Sequence, residues 1–396
     1  MLDVVKPALL GGQPVFEPSL PMARPQLPSA DALLPDFRRI LESGQLTKGE
    51  HLAGFETESE AYLGVNSCVG VSSCTSGLML CLQALKRRLK SGQEHKVAVP
   101  SFTFLASITA LVWAGFTPVF VEADPATMNI DLEDLEQVLK TEAPCAVLAV
   151  HCFGNPVPTD TLQSLCDRFD ARLMIDAAHG FGSLYQGEKV GKAGWCQVFS
   201  LTPTKMVVAG EGGIIATQDY ELAEELRIAR EYGNDGSYDT QFSGLNARLS
   251  ELHSCLARGS LKMLESVVAH RNQVAEDSRR LMEGIPGLRF QSITPQSRTT
   301  YKDLTLVVEQ EQFGLTRDRL AEALQAEGIP SRKYFSPPCH RHKAFKEFAS
   351  RELPQTEKLA DGCLSIPLLD TPTAQGIAQA FRKIRQFSKQ IQAGTS

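Results

Sequence analysis

The sequence predicts an α/β protein whose main domain holds a mostly parallel β-sheet with helices on both faces. Seven short apolar runs rich in β-branched residues recur between residues 68 and 217, and helix-like segments separate many of them. This alternation is typical of βαβ units, in which parallel strands are buried on both faces. A chain of 396 residues exceeds what one core usually supports, so a second domain is expected.

The predicted strands follow one another within residues 30–250, the predicted large domain. They are CVGVS (68–72), KVAVP (96–100), TPVFVEAD (117–124), CAVLAVHCFG (145–154), RLMIDAA (172–178), WCQVFSL (195–201) and GGIIAT (212–217). Segments such as SGLMLCLQALKRRL and DTLQSLCDRF lie between them and predict the covering helices.

The pattern changes after residue 250, which predicts a smaller α+β domain over residues 251–396, connected by a long helix. That helical stretch, ELHSCLARGSLKMLESVVAHRNQVAEDSRRLM, ends at EGIPG, and the sparser strands DLTLVVEQ and CLSIPLL follow. Near the C-terminus, one helix face is predicted from apolar residues spaced three or four apart, namely Ile377, Phe381, Ile384, Phe387 and Ile391. Residues 1–29 are predicted to be an N-terminal arm.

Composition argues against several functional classes. The net charge of −6 is mild and basic residues are scattered, so neither nucleic acid nor an anionic membrane is an expected partner. No apolar run approaches ~18 residues and the N-terminus lacks the features of an export signal, so a cytoplasmic location is expected. Ten cysteines without a CxxC pair indicate reduced structural thiols and no metal site.

Polar and aromatic side chains follow two of the predicted strands at positions where ligands bind. In open parallel sheets, ligands bind beyond the carboxyl ends of the strands. Ser73, Thr75 and Ser76 follow the first run and either cap the next helix or offer donors to a phosphate. Phe104 follows the second run and is either a core residue or a flat surface for a ring-shaped ligand.

Two further strand ends carry charged groups. Asp176 and His179 follow the run RLMI, where a buried carboxylate needs a cationic partner; the alternative is a helix cap with a surface histidine. Lys205 lies in SLTPTKMVVAGEGG, between the hydroxyl of Ser200 and a glycine-rich turn. A lone lysine in a loop is usually solvated, so a functional role for Lys205 is inferred from its neighbouring residues.

One cofactor accounts for all four strand ends. Pyridoxal 5'-phosphate needs an amine for its aldehyde, a carboxylate for its ring nitrogen, a flat surface against its ring and donors for its phosphate. These requirements are matched, in that order, by Lys205, by Asp176, by Phe104 with His179, and by Thr75, Ser76 and Ser200.

The ordered motifs resemble those of the DegT/DnrJ/EryC1/StrS family of pyridoxal-phosphate-dependent sugar aminotransferases. The resemblance extends from ILESGQLTKGEHLAGFETESEAYLG through DAAHGFG and TPTKMVVAGEGG to GLNARLSEL and SIPLLD. It implies the fold-type I aminotransferase architecture, with Lys205 as the Schiff-base lysine and Asp176 as the partner of the ring nitrogen. In GLNARLSEL, Asn246 and Arg248 correspond to residues that reach the neighbouring subunit's phosphate site, which implies a homodimer with shared active sites.

The resemblance also implies a ping-pong transfer of an amino group from glutamate or glutamine to a keto sugar, carried by a nucleotide. Loops around HCFGNPV and RKYFSPPCHRHKAF suggest Arg332, Tyr334 and His340 as substrate residues, although a surface role is equally open for each. Cys74 and Thr202 depart from the family pattern, in which glycine and histidine or tyrosine are common at these two positions.

Three other functions stay open at this point. A transaminase acting on a keto-cyclitol would have the same cofactor site. A non-catalytic pyridoxal-phosphate regulator should have lost Lys205 or gained a DNA-binding segment, and neither is evident. A scaffold without cofactor would require all the strand-end residues to coincide by chance.

Overall fold

All seven predicted runs form strands of one sheet in the computed structural model, which describes residues 6–237 and 239–393. They are β1 (Ser67–Val71), β2 (Lys96–Pro100), β3 (Thr117–Val121), β4 (Ala146–Val150), β5 (Arg172–Asp176), β8 (Cys196–Ser200) and β9 (Gly213–Thr217). Between β5 and β8, the short strands β6 (Leu184–Tyr185) and β7 (Glu188–Lys189) pair in a separate sheet with β11 (Ser297–Arg298).

The large sheet is mostly parallel, as predicted, and has the strand order β1-β9-β8-β5-β4-β2-β3. Five of its strands pair in parallel, in the order β3, β2, β4, β5 and β8. Strand β9 is antiparallel to both of its neighbours, β1 and β8. No helix lies between β8 and β9, and a strand that returns without a crossover pairs antiparallel. This return loop contains Lys205 and starts at the carboxyl end of β8.

Helices cover both faces of this sheet. They are α1 (Ala30–Ser43), α2 (Glu50–Leu63), α3 (Cys74–Arg88), α4 (Leu105–Trp113), α5 (Leu132–Glu142), α6 (Thr159–Arg168), α7 (Tyr220–Ala229) and α8 (Glu251–Leu261). Two apolar cores result, one on each face. Adjacent side chains of a strand point to opposite faces of the sheet, so in β4 Val147 belongs to one core and Leu148 to the other.

The C-terminal region forms a second, smaller sheet with its own core. Strand β12 (Leu304–Val308) lies between β10 (Leu288–Phe290) and β13 (Cys363–Ile366), and both pairings are antiparallel. The helices of this region are α9 (Leu264–Met282), α10 (Gln310–Phe313), α11 (Arg317–Ala326), α12 (Pro354–Gly362), α13 (Thr371–Gln386) and α14 (Ser388–Ala393).

Two helix predictions differ from the structure in their boundaries. The stretch predicted as one connecting helix is divided into α8 and α9, separated by Lys262 and Met263. The C-terminal helical stretch is divided at Phe387, between α13 and α14. All five of the apolar positions predicted on one face there are buried in the small core, so the periodicity identified the buried face although not the breaks.

The predicted arm packs on the small sheet's helices through one buried carboxylate. Glu327, which directly follows α11, is fully buried and accepts hydrogen bonds from the backbone N–H groups of Ala8 and Val15 at 2.9 and 3.0 Å. Its second oxygen also accepts from Nζ of Lys383 in α13 at 2.9 Å. Residues 1–5 of the predicted arm and 394–396 of the predicted small domain lie outside the described residues.

Two expectations from composition can be compared with the structure. All ten cysteines are buried, unpaired thiols. Within residues 6–237 and 239–393, no helix has both the length and the apolar character that crossing a bilayer requires.

Candidate active site

A cavity of about 180 Å³ lies at the carboxyl ends of the strands in the large sheet. Asp176 is the last residue of β5 and Ser200 the last of β8, so both side chains reach this edge. The structure gathers six of the predicted cofactor residues around the cavity, namely Thr75, Phe104, Asp176, His179, Ser200 and Lys205. These six residues come from four separate segments of the chain, which therefore meet at one site.

Asp176 is buried but well supplied with hydrogen-bond donors. Its side chain is 5% exposed. Oδ2 accepts from the hydroxyl of Ser107 at 2.6 Å, and Oδ1 accepts from the backbone N–H of Ala178 at 3.0 Å. Burial raises the pKa of Asp176, while the Ser107 hydrogen bond, the Ala178 N–H and the nearby charge of Lys205 oppose that rise.

Lys205 lies in the loop between β8 and β9, which is held by a backbone hydrogen bond from Lys205 N–H to the carbonyl of Thr202 at 3.0 Å. Burial, together with the positive charge of Lys302, lowers the pKa of Lys205 to about 8. The negative charges of Asp176 and Asp303 act in the opposite direction. A larger fraction of this amine than of an ordinary lysine is therefore unprotonated near neutral pH, as a nucleophile or general base requires.

Two rings of different character line the cavity. The side chain of Phe104, at the N-terminus of α4, is 49% exposed and so is available to a ligand. The imidazole of His179 is stacked on Phe153 with the planes 8° apart and the centroids 6.3 Å apart. Burial, reinforced by the charges of Lys205 and Lys302, lowers the pKa of His179 well below its usual value, so the ring is neutral.

The hydroxyl residues at the N-terminus of α3 were predicted either to cap the helix or to donate to a phosphate. Ser73 is the N-cap, and it forms a capping box in which Oγ of Ser73 accepts from Ser76 N–H and Oγ of Ser76 accepts from Ser73 N–H, both at 3.0 Å. Ser73 and Thr75 both line the cavity, whereas Ser76 does not. The hydroxyl of Ser76 therefore serves the helix, whereas that of Thr75 is placed for a ligand.

Asn246 and Arg248 do not line the cavity. Asn246 is exposed and forms a β-bridge with Glu231, while Arg248 forms one with Val71 at the end of β1. Nη1 of Arg248 donates to the Glu231 carboxylate at 2.9 Å. Both residues thus lie on the surface beside the site.

The three predicted substrate residues have different environments. Nη1 of Arg332 donates to the hydroxyl of Tyr334 at 2.6 Å, and the ring of Tyr334 lies 5.3 Å from that of Phe335, which lines the cavity. His340 is 2% exposed and does not line the cavity. Its Nδ1 is 2.6 Å from Oγ of Ser101 and its Nε2 is 2.9 Å from the carboxylate of Glu357. Both ring nitrogens are engaged within the fold, so the structure does not bring His340 to the site.

Sequence reasoning missed four residues of this region. Ser107 bonds to Asp176 as described, and its only signal is a serine within the apolar helix segment LASITALVW. Phe335 follows the predicted Tyr334 and forms part of the cavity wall. Lys302 and Asp303 form a buried ion pair at 2.7 Å, in which each side chain is 8% exposed. Nothing in the local sequence distinguishes that pair from an exposed one.

Metal-ligand side chains come together in one place among residues 6–237 and 239–393. Ligand atoms of Asp36, His51 and Cys255 lie within 4.8 Å of one another, away from the cavity. Nη2 of Arg39 is already 2.9 Å from Asp36, and Nη1 of Arg258 is 3.4 Å from Nδ1 of His51. Because two guanidinium groups already supply positive charge there, we assign no metal to this cluster.

The fold and the cavity together define the class of fold-type I aminotransferases: a mostly parallel sheet with a buried amine and a buried carboxylate at the carboxyl ends of its strands. The chain belongs to the DegT/DnrJ/EryC1/StrS aminotransferase family, whose profile matches residues 29–385. The expected family and fold are both confirmed, and the protein is an aminotransferase of a family that depends on pyridoxal phosphate.

Relatives and solved structures resemble the chain along almost its whole length. It is 33% identical to the dTDP-3-amino-3,4,6-trideoxy-alpha-D-glucose transaminase of Streptomyces venezuelae, covering 87% of this chain and 90% of that protein. It is 31% identical to the UDP-N-acetyl-3-dehydro-alpha-D-glucosamine 3-aminotransferase of Acidithiobacillus ferrooxidans, covering 90% and 94%. The crystal structure of DesI in the presence of its TDP-sugar product has a TM-score of 0.89 at 30% identity and covers 98% of both chains.

The residues of the cavity fit pyridoxal phosphate. Nδ1 of His179 is buried without a hydrogen-bond partner among the described residues, a position that a polar ligand atom would satisfy. Asp176 and Asp303 act on Lys205 through their charges and without a hydrogen bond to its amine. Phe104 presents a half-exposed ring and Thr75 a hydroxyl on the same cavity.

Proposed function

We propose that this protein transfers an amino group from glutamate or glutamine to a keto sugar carried by a nucleotide. The observation that carries the proposal is the presence of Lys205, with a pKa of about 8, in the same cavity as the buried carboxylate of Asp176. Relatives named as transaminases of dTDP- and UDP-linked sugars support the choice of acceptor.

The roles that we propose divide between binding and proton transfer. Bound pyridoxal phosphate supplies a ring that withdraws electrons from the α-carbon of the amino acid. Asp176 holds a proton at the ring nitrogen, because a carboxylate favours a positive charge beside it. Lys205 would hold the cofactor through its amine, and the same amine would take the α-proton of the donor and return a proton during transfer.

The remaining cavity residues orient the ligands. Phe104 and His179 cover the ring of the cofactor, and Thr75 and Ser200 donate hydrogen bonds to its phosphate. The N-terminus of α3 adds the positive end of its dipole. We propose that Ser76 contributes there indirectly, because its capping box fixes the first turn of α3.

The acceptor and the subunit arrangement complete the proposal. Arg332 and Tyr334 lie beside the wall residue Phe335, and we propose that they contact the acceptor. Asn246 and Arg248 lie outside the cavity, and we propose that they serve the phosphate site of a second subunit in a homodimer. A cytoplasmic location agrees with the availability of nucleotide sugars and amino acids in that compartment.

Chemical trapping tests the central assignment. Purified protein saturated with pyridoxal phosphate is treated with borohydride, digested and analysed by mass spectrometry, with Lys302→Met as the matched control for a second lysine near the site. We expect the reduced adduct on Lys205 in both proteins. An adduct on another lysine, or none, would contradict the assignment.

A substrate screen then tests the class of acceptor. The amine form of the cofactor is prepared with glutamate in one arm and glutamine in the other. It is then mixed with keto-nucleotide sugars, with the same sugars lacking the nucleotide, or with keto-cyclitols, while the return of the aldehyde spectrum is recorded. We expect the nucleotide-linked sugars to restore it fastest. Faster recovery with a cyclitol would replace the proposed acceptor and leave the cofactor assignment intact.

A further inference from the structure

The carboxylate of Asp176 is surrounded by donors that the family assignment does not explain. Oδ2 receives the Ser107 hydroxyl at 2.6 Å, and Oδ1 receives the Ala178 N–H at 3.0 Å. The thiol sulfur of Cys74, which lies between Oδ1 of Asp176 at 3.9 Å and the carbonyl of Val198 at 3.5 Å, covers a third position. An ionised carboxylate has about four acceptor positions, so at least one remains free.

Ser107 is itself held by a second hydroxyl. Oγ1 of Thr103 is 3.1 Å from Oγ of Ser107, and both side chains are buried. An ionised carboxylate can only accept, so Ser107 must give its proton to Asp176. Thr103 must then donate to Ser107. The direction of both hydrogen bonds, from Thr103 to Ser107 and from Ser107 to Asp176, is therefore fixed.

We propose that Thr103 and Ser107 are positioning residues that orient the Asp176 carboxylate so that a free acceptor position faces the cavity. This inference rests on the proposed function, because it assigns the free position to the ring nitrogen of the cofactor. The two hydroxyls touch Asp176 or each other, so they act through the carboxylate.

The location of Thr103 and Ser107 at the start of α4 explains why hydroxyls are suited to orienting the Asp176 carboxylate. Ser107 lies in the first turn of α4, directly after Phe104, Leu105 and Ala106, and the backbone of that turn is fixed by the helix. A rigid neutral donor holds a carboxylate without adding a second charge, which would compete with the charge of the ring. The titratable groups that face Asp176 are Cys74 from α3 and Lys205 from the loop after β8.

Cys74 is expected to contribute less than Ser107. Burial, followed by the charge of Asp176, raises the pKa of the Cys74 thiol well above its ordinary value, so the group stays neutral. A thiol is a weak donor, and its sulfur is also near the Val198 carbonyl. Replacing Cys74 should therefore change the behaviour of Asp176 less than replacing Ser107.

The test measures the affinity for pyridoxal phosphate from pH 5.5 to 8.5 by equilibrium dialysis. The variants are Ser107→Ala, Ser107→Thr, Thr103→Val and the matched control Ser59→Ala, because Ser59 is fully buried and its hydroxyl has no partner among the described residues. A hydrogen bond to a charged group corresponds to roughly tenfold or more in an equilibrium constant. We expect Ser107→Ala to bind about tenfold more weakly, with a deficit that grows as the pH falls, because Asp176 then takes up a proton at higher pH.

The other variants separate positioning from general stability. Ser107→Thr keeps the hydroxyl and should restore the pH profile, and Thr103→Val should show a smaller loss in the same direction. In an Asp176→Asn background, Ser107→Ala should add little, because its partner charge is already gone. Thermal unfolding of each variant identifies any that fails to fold.

Two results would overturn the inference, and they differ from failure of the proposed function. Identical pH profiles for wild type and Ser107→Ala would show that Ser107 does not act through Asp176. An equal effect of Ser107→Ala with and without the Asp176→Asn change would lead to the same conclusion. If the wild type binds no pyridoxal phosphate and borohydride labels no lysine, the proposed function itself fails.

Discussion

Lys205 illustrates how burial changes an ordinary residue into a reactive one. Its pKa of about 8 has burial as its main cause, with Lys302 adding to the effect. The ion pair of Lys302 with Asp303 keeps that second amine buried nearby. The lowered pKa of Lys205 is therefore a property of its surroundings. These include Cys74, Asp176 and the pair of Lys302 and Asp303, which are distant from Lys205 in sequence.

The same burial should cost stability. A lysine whose folded pKa is lowered to about 8 from 10.5 penalises the folded state fully below pH 8, and the penalty disappears as the pH rises towards 10.5. We expect Lys205→Met to stabilise the cofactor-free protein at pH 7 by about 3 kcal/mol at most. Urea unfolding at pH 7 and pH 10 measures this gain, and a gain that does not shrink at pH 10 would contradict the explanation.

Asp176 should matter for rate more than for folding. Asp176→Asn keeps the size of the side chain and removes the charge that holds the ring proton, so we expect the half-reaction with the amino-acid donor to slow roughly hundredfold or more. Stopped-flow absorbance measures it, with Asp277→Asn, a buried aspartate of α9 outside the cavity, as the control. An unchanged rate in Asp176→Asn would refute the assigned pairing.

At the scale of elements, the N-terminus of α3 has a structural role and, in our proposal, a ligand-binding role as well. The capping box between Ser73 and Ser76 completes the first turn, while Thr75 between them faces the cavity. The sequence offered capping and phosphate binding as alternatives for this stretch. In the structure the hydroxyls of Ser73 and Ser76 form the capping box, and we propose that the hydroxyl of Thr75 binds the ligand.

The substitutions Ser76→Ala and Thr75→Ala should therefore affect different properties of the protein. Ser76→Ala removes half of the capping box and should lower the free energy of unfolding by about 1 kcal/mol. Thr75→Ala should leave the free energy of unfolding nearly unchanged and weaken the binding of pyridoxal phosphate instead. Urea unfolding and equilibrium dialysis on both variants measure the two effects. If Thr75→Ala unfolds as readily as Ser76→Ala, the division of roles is wrong.

At the scale of the whole molecule, the arm is joined to the small C-terminal region through a buried carboxylate. The buried carboxylate of Glu327 joins the arm to α13 through Ala8, Val15 and Lys383. Breaking a buried ion pair by removing one charge costs several kcal/mol in general. The arm is therefore an integral part of the small domain's surface, although it is distant from it in sequence.

The shared site can be tested by complementation. If Asn246 serves the other subunit, a heterodimer of Lys205→Ala and Asn246→Asp has one site with both lesions and one with neither, so mixing the two inactive proteins should restore part of the activity. Mass-tagged chains measured by native mass spectrometry report subunit exchange independently. Exchange without recovered activity would place Asn246 in its own chain's site or outside any site.

Dilution provides a second measurement of the same arrangement. When a site is incomplete in the monomer, activity per chain should fall as the dimer dissociates at low protein concentration. The control is Arg332→Ala, which lies on the loop beside the cavity wall and away from Asn246 in sequence; its residual activity should fall over the same concentration range. Constant specific activity in a protein shown to be monomeric would exclude a shared site.

Much of this architecture could be predicted from the sequence because it depends on local patterns. β-branched apolar runs separated by helical segments indicated all seven strands of the large sheet, and the residues after those runs indicated Lys205, Asp176 and Thr75. Strand ends meet at one edge of a parallel sheet whatever the loops do, so these side chains could be expected to converge. The ordered motifs also identified the family.

The tertiary structure alone decided the properties that depend on distant contacts. His340 was a candidate substrate residue until packing placed it between Ser101 and Glu357, whereas Ser107 carried no sequence signal although it bonds directly to Asp176. A buried serine and a surface serine have the same letter, and only the surrounding chain determines the dielectric, the donors and the charges that they meet. For that reason the sequence determined the fold and the site, while the three-dimensional packing set the pKa of Lys205 and the orientation of Asp176.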